Sequence, residues 1–168
     1  MADSAIAAAR IIVTGGTFDK RYDAIKGELT FTETHLPAIL EQARVTLPLT
    51  VDIQLLIDSL HMTDAHRQSV LEACRGAAER AIVVVHGTDT MAQTAEVVGR
   101  AGLDKAIVFT GAMVPYSVQG SDAPFNLGFA LAAALTLPAN AYVAMNARIF
   151  PWDNVTKDRD AGKFRQKR

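Results

Sequence analysis

Hydrophobic positions along the chain follow two alternating rhythms. Short, β-branched runs at 11–14, 51–56, 81–86, 106–110 and 141–145 predict strands. Three of these runs are almost continuously apolar, as parallel strands buried on both faces require. Between them, apolar residues recur at helical spacing over about 34–43, 63–78, 90–101 and 123–135, which predicts four amphipathic helices. Strand and helix alternating in this way imply an α/β fold, with an open, mostly parallel sheet and helices on both faces. No internal repeat, low-complexity stretch or linker interrupts the pattern, so residues 1–168 are expected to form a single domain.

That architecture says where chemistry belongs. In open α/β sheets, ligands bind beyond the carboxyl ends of the strands. Four strand ends are followed by polar turns rich in glycine or hydroxyls: Thr14-Gly15-Gly16-Thr17, Asp58-Ser59, Gly87-Thr88-Asp89-Thr90 and Thr110-Gly111-Ala112-Met113. If the strands are parallel, all four turns share one edge.

Composition narrows the function classes. With 49% hydrophobic and 21% charged residues the chain is globular in character. A formal net charge of −1 gives no reason to expect a nucleic acid or an anionic membrane as partner. The basic run 163–168 reads as a solvated terminus. Cys74 is the only cysteine, so an intrachain disulfide is excluded, and a buried, inert thiol is expected. Residues 1–4 carry an acid and no basic region, no segment has the length of a membrane span, and a cytoplasmic location without a signal peptide is expected. His35, His61, His66 and His86 show no metal-ligand spacing and read as ordinary core or surface residues.

Taken singly, the turns are ambiguous. Gly15-Gly16 lets the backbone turn sharply, so that N–H groups and the Thr17 hydroxyl can face a ligand. The glycine spacing of a dinucleotide loop is absent, as is the lysine of a phosphate loop. Thr88 or Asp89 at the start of a helix is by default an N-cap. The functional alternative gives Asp89 a substrate ammonium to bind and Thr88 a reacting group. In Asn154-Val155-Thr156-Lys157-Asp158, a lysine that is ordinarily a solvated charge could serve as a proton acceptor if it lay beside a carboxylate and a hydroxyl in a dry pocket.

In combination the motifs are specific. Thr14-Gly15-Gly16-Thr17, Asp58-Ser59 with Met62, His86-Gly87-Thr88-Asp89-Thr90-Met91, Phe109-Thr110-Gly111-Ala112-Met113, Asp122-Ala123-Pro124-Phe125-Asn126-Leu127 and Val155-Thr156-Lys157 follow one another in this order. The chain thereby resembles the bacterial-type L-asparaginases, the asparaginase/glutaminase family, over essentially its whole length. The resemblance implies hydrolysis of L-asparagine to L-aspartate and ammonia through a threonine nucleophile and an acyl-enzyme, with no cofactor and no metal. It implies Thr17 as nucleophile and Tyr22, in a mobile loop, as its activating tyrosine. Thr88, Asp89 and Lys157 match the second hydroxyl, the substrate-binding acid and the relay lysine. Ser59 matches the serine that binds the substrate α-carboxylate, and Ala112 the residue whose carbonyl faces the scissile amide nitrogen. Asp122 and Asn126 fit a structural helix start. A homo-oligomer, dimer or tetramer, is the implied assembly.

The sequence also departs from the family. The C-terminal domain of the full-length enzymes is expected to be absent, because the chain stops soon after Lys157. Leu60 stands where the family usually has a polar side chain, His61 where an aspartate is common, and the stretch from Thr17 to Tyr22 is short. Weaker substrate binding and little glutaminase activity are expected. A catalytically silent amino-acid-binding module that retained the pocket is the alternative.

Overall fold

The computed structural model describes residues 7–167. The expectation drawn from residues 1–4 lies outside that range, as does Arg168 of the basic run. Six strands form the central sheet. They are β1 (Ala9–Gly15), β4 (Leu49–Ile57), β5 (Ala81–Val85), β6 (Ala106–Thr110), β7 (Asn140–Met145) and β8 (Arg148–Pro151), in the order β4-β1-β5-β6-β7-β8. The first five run parallel and β8 is antiparallel to β7. The α/β fold with an open, mostly parallel sheet is therefore the one the apolar pattern predicts.

Alternation along each strand builds two cores. Ile11, Val13, Val83, Val85 and Val108 point to one face, where they meet α1 (Leu36–Gln42) and α4 (Ala123–Thr136). Ile12, Ile82, Val84, Ile107 and Phe109 point to the other, against α2 (Asp64–Gly76) and α3 (Met91–Arg100). The period of two explains why β1, β5 and β6 must be apolar at nearly every position. Cys74 is a free, buried thiol on α2 with its pKa pushed up to about 12 by burial, as expected of an inert side chain. Among the described residues, no helix is long and apolar enough to cross a membrane.

The helix starts carry local chemistry that the sequence pattern leaves partly hidden. α2 opens on a reciprocal cap: the Thr63 hydroxyl accepts from the His66 N–H, and the Thr63 N–H donates to His66 Nδ1. A histidine here occupies the position usually held by Glu or Gln in such a box. His66 is thus a capping residue.

Three hairpins were not legible in the sequence, although the first strand of one, β7, was. β7 turns into β8 through Asn146 and Ala147, both at positive φ as a two-residue type I′ turn requires. β2 (Arg21–Asp23) pairs with β3 (Glu28–Thr30), and β9 (Thr156–Asp158) with β10 (Lys163–Arg165). The last corrects the reading of the basic run as a solvated terminus. Lys163-Phe164-Arg165 is a strand, and Phe164 is buried in the α2–α3 core. Its single aromatic side chain decides the matter, since burying a phenylalanine outweighs solvating the flanking charges in place.

Candidate active site

The four polar turns do lie at one edge, because β4, β1, β5 and β6 are adjacent and parallel. They are also fastened to each other. The Thr14 hydroxyl donates to the Val85 carbonyl at 2.8 Å, and the Gly16 N–H donates to the Ile57 carbonyl at 2.9 Å. Gly16 has φ +80°, and a Cβ there would overlap Gly87 Cα. A Cβ on Gly87 would lie 2.6 Å from the Ser59 Cβ and Oγ. Only glycine permits these approaches. The turns after β1, β4 and β5 thus meet, and each carries a hydroxyl singled out by the sequence: Thr17, Ser59 and Thr88.

Thr17 opens a 3-10 turn, Thr17–Asp19, that leaves β1, and its side chain is half-buried. Among the described residues the Thr17 hydroxyl has no hydrogen-bond partner. The turn is anchored below by Asp19, fully buried, whose Oδ1 accepts from the Thr34 hydroxyl and the His35 N–H. Burial raises the Asp19 pKa against the pull of those bonds. Tyr22, expected in a loop, lies instead in β2 opposite Leu29, and its side chain is 66% exposed.

Ser59 is buried at the start of a second 3-10 turn, Ser59–His61. Its Oγ accepts from the Thr90 N–H at 3.3 Å, leaving the serine proton to be donated elsewhere. Thr90 Oγ1 donates in return to the Ser59 carbonyl at 2.9 Å. Thr90 was not singled out as a site residue; its signal was the second threonine of the Thr-Asp-Thr run.

Lys157 reaches this edge from β9. Its Nζ donates to Thr88 Oγ1 and to Asp89 Oδ1, both at 2.8 Å. With an ammonium donating into its oxygen, the Thr88 hydroxyl must send its own proton outward. Asp89 Oδ2 makes no ion pair or hydrogen bond among the described residues. This arrangement overturns the default reading of Thr88 or Asp89 as an N-cap. Helix α3 starts after Thr90, without a side-chain cap bond, and both residues are turned to Lys157 instead. A cavity of about 250 Å³ opens beside the pair, lined by Asp89, Gln93, Glu96, Thr156, Lys157 and Arg159.

Ala112 is buried in the turn after β6, between two fixed neighbours. Asn126 Nδ2 donates to the Gly111 carbonyl at 2.9 Å, and the Asp122 carboxylate accepts from the N–H groups of Met113 and Val114 at 3.0–3.1 Å. Asn146 Nδ2 reaches the same carboxylate at 3.0 Å. Burial would raise the Asp122 pKa, but these hydrogen bonds outweigh it and the pKa is lowered. Asp122 and Asn126 fasten this loop, yet Asp122 makes no side-chain cap bond at the start of α4. It binds the loop carrying Ala112.

His86 sits beneath the β5 turn, fully buried. Its Nδ1 is 2.8 Å from the Gly87 carbonyl and its Nε2 is 2.8 Å from Thr94 Oγ1. A carbonyl only accepts, so the ring proton is on Nδ1 and Nε2 accepts from Thr94. Burial lowers the His86 pKa to about 4.

The family model described as "Asparaginase, N-terminal" matches residues 9–162. The chain belongs to the asparaginase family. It is 30% identical over 165 residues to the glutaminase-asparaginase of Acinetobacter glutaminasificans, and 30% identical over 159 residues to L-asparaginase 1 of Escherichia coli. Each alignment takes in 88% of this chain, but only 48% and 46% of those proteins. The chain therefore spans about half the length of the curated relatives it matches. Among solved structures, the thermostable L-asparaginase from Thermococcus kodakarensis superposes with a TM-score of 0.84 at 26% identity, covering 95% of this chain and 51% of that one. A probable cytoplasmic L-asparaginase from Campylobacter jejuni does so with a TM-score of 0.76 at 26% identity, over 90% and 49%.

Proposed function

We propose that this chain hydrolyses L-asparagine to L-aspartate and ammonia, with Thr17 as nucleophile. The observation that carries the reading is the bonding of Lys157 to both Thr88 and Asp89, at the edge where Thr17 and Ser59 also stand. Free asparagine brings two charges that need partners. The Ser59 hydroxyl, with a proton to donate, suits the α-carboxylate, and the unengaged Asp89 Oδ2 suits the α-ammonium. Holding both ends supplies the proximity and orientation that a weak hydroxyl nucleophile needs.

In this mechanism Thr17 Oγ attacks the side-chain amide carbon and gives up its proton, and the carbonyl becomes an oxyanion held by backbone donors of the Gly87 turn. The oxyanion collapses, the C–N bond breaks, and the nitrogen takes up a proton and leaves as ammonia. In this reading Thr88 and Lys157 relay the Thr17 proton to that nitrogen, and the Ala112 carbonyl orients it. Water then cleaves the acyl-threonine ester, releasing aspartate and restoring the hydroxyl. Tyr22 assists attack once substrate is bound, which requires its exposed ring to move towards Thr17. We extend the reading to a homo-oligomer, dimer or tetramer, in the cytoplasm. Leu60, 58% exposed beside Ser59, offers no polar grip, so binding is weak and glutaminase activity low.

One observation favours the other reading, a silent amino-acid-binding module: among the described residues, no base is bonded to Thr17. Ammonia release from L-asparagine by the purified chain separates the two, measured beside Thr17→Ala and Lys157→Met. Release that both substitutions abolish supports the enzyme. Binding of L-aspartate with no release at tens of millimolar substrate, more than about tenfold above the roughly 1 mM upper end of ordinary Michaelis constants, would sink it in favour of the module.

A further inference from the structure

We infer that the Lys20–Asp58 ion pair is a ruler for substrate length, positioning the Thr17 turn against the Ser59 turn; the inference rests on the site proposed above. Lys20 Nζ lies 2.5 Å from Asp58 Oδ2, with the two side chains 19% and 24% exposed. Each partner is bonded into one of the turns that carry a site hydroxyl. The Lys20 N–H donates to the Thr17 carbonyl at 3.2 Å, closing the nucleophile's 3-10 turn. Asp58 Oδ1 accepts from the Leu60 N–H at 3.0 Å, capping the 3-10 turn that begins at Ser59. Burial would raise the Asp58 pKa, but Lys20 and the Leu60 N–H outweigh it, so the carboxylate stays charged.

Among the described residues, the pair joins a second tie between these turns. The Gly16 N–H to Ile57 carbonyl bond fixes them at the strand ends, and the ion pair fixes them further out. Along the chain Thr17 stands between Gly16 and Lys20, and Ser59 directly follows Asp58. Lys20 is itself held in place: its carbonyl accepts from the Ser117 hydroxyl at 2.8 Å, and its ammonium is 5.9 Å from the centroid of the Phe31 ring. In the proposed reaction Ser59 takes the α-carboxylate and Thr17 attacks the amide carbon. The separation of these two hydroxyls therefore selects the number of carbons between them, which is one more in glutamine than in asparagine. With both ties made, the separation is fixed. Without the outer tie the turns can part and admit the longer amide.

The test compares Lys20→Met, Asp58→Asn and the conservative Lys20→Arg with the parent, using turnover of asparagine and glutamine. The ruler predicts that Lys20→Met and Asp58→Asn each lower the asparagine-to-glutamine ratio of kcat/KM by about tenfold, the discrimination one methylene commonly provides. The change arises mainly in KM, and Lys20→Arg keeps most of the parent ratio. Equal loss on both substrates would mean a merely structural pair and overturn the proposal. Binding of L-aspartate and L-glutamate by calorimetry gives the same ratio without catalysis. An inactive parent that still shows the shift in the binding ratio would refute hydrolysis and leave the ruler standing. An unshifted ratio, or no binding of either amino acid, overturns the ruler even if hydrolysis is observed.

Discussion

Phe164 is the register partner of Lys157 across the β9–β10 hairpin, and its ring is buried while Lys163 and Arg165 on either side are exposed. The lysine that reaches Thr88 and Asp89 is thus held on a two-strand ribbon by an aromatic anchor in the α2–α3 core. A two-stranded ribbon has little stability of its own, so its conformation depends on that anchor. Phe164→Ala should lower stability by about 3 kcal/mol, in the range for emptying a buried aromatic site. Urea unfolding reads the loss. Amide exchange at Thr156–Asp158 should rise with it, and unchanged exchange there would mean that β9 is held by something else.

Gly16 should tolerate no side chain. A Cβ would overlap Gly87 Cα, and φ +80° with ψ −173° is backbone that essentially only glycine adopts. Gly16→Ala is expected to cost at least about 2 kcal/mol from backbone strain alone. Gly120→Ala is the comparison for a positive φ without the close approach, because Gly120 has φ +82° and nothing within 4 Å of a built Cβ. Thermal unfolding of both variants should show Gly16→Ala the more destabilised. Equal losses would show that the close approach of the two turns contributes nothing.

Much of this was legible in the sequence, for physical reasons that also mark the limits. Strands 81–85 and 106–110 had to be apolar on both faces, so their pattern was unmistakable and fixed where the polar turns would gather. The turns that hold Thr17, Ser59, Thr88 and Asp89 stood out because they follow predicted strands, whereas the roles proposed for those residues came from the resemblance to the asparaginase family. Phe164 was hidden among basic residues, since one buried aromatic makes no period. The Asp122 contacts were hidden because they join residues far apart: Met113 and Asn146 reach one carboxylate from two loops. Lys20 and Asp58 are 38 positions apart, and no local pattern pairs them.

Asp122 should matter to activity without touching substrate. Its carboxylate gathers the Met113 and Val114 N–H groups and two side-chain amides, and so sets the loop that presents the Ala112 carbonyl. Asp122→Ala leaves those donors without their acceptor, at a cost of about 1–3 kcal/mol. If the loop shifts by an ångström, kcat/KM for asparagine should fall by about 100-fold. Steady-state kinetics on the folded variant checks this. Full activity with lowered stability would remove Ala112 from the proposed machinery.

His86 should make the protein lose stability in mild acid. Its pKa is about 4 in the folded protein, lowered first by burial, against an ordinary value of 6.5. Between these values the unfolded chain binds a proton that the folded one refuses. Stability is therefore full above pH 6.5 and declines as pH falls towards 4, by an amount on the order of 3 kcal/mol. His35, whose pKa is also lowered chiefly by burial, adds loss of the same sign. Asp19, with its pKa raised from 3.8 by burial, acts oppositely near the acid end of the window. The lowered carboxylates Asp58 and Asp122 contribute only at still lower pH. Urea midpoints measured from pH 7 to 4.5 should fall steadily in the parent and clearly less steeply in His86→Gln. The slope is the readout, so a variant that is less stable throughout still answers. An equal slope in both proteins would show that the acid sensitivity arises elsewhere and that the buried ring is protonated in the folded state.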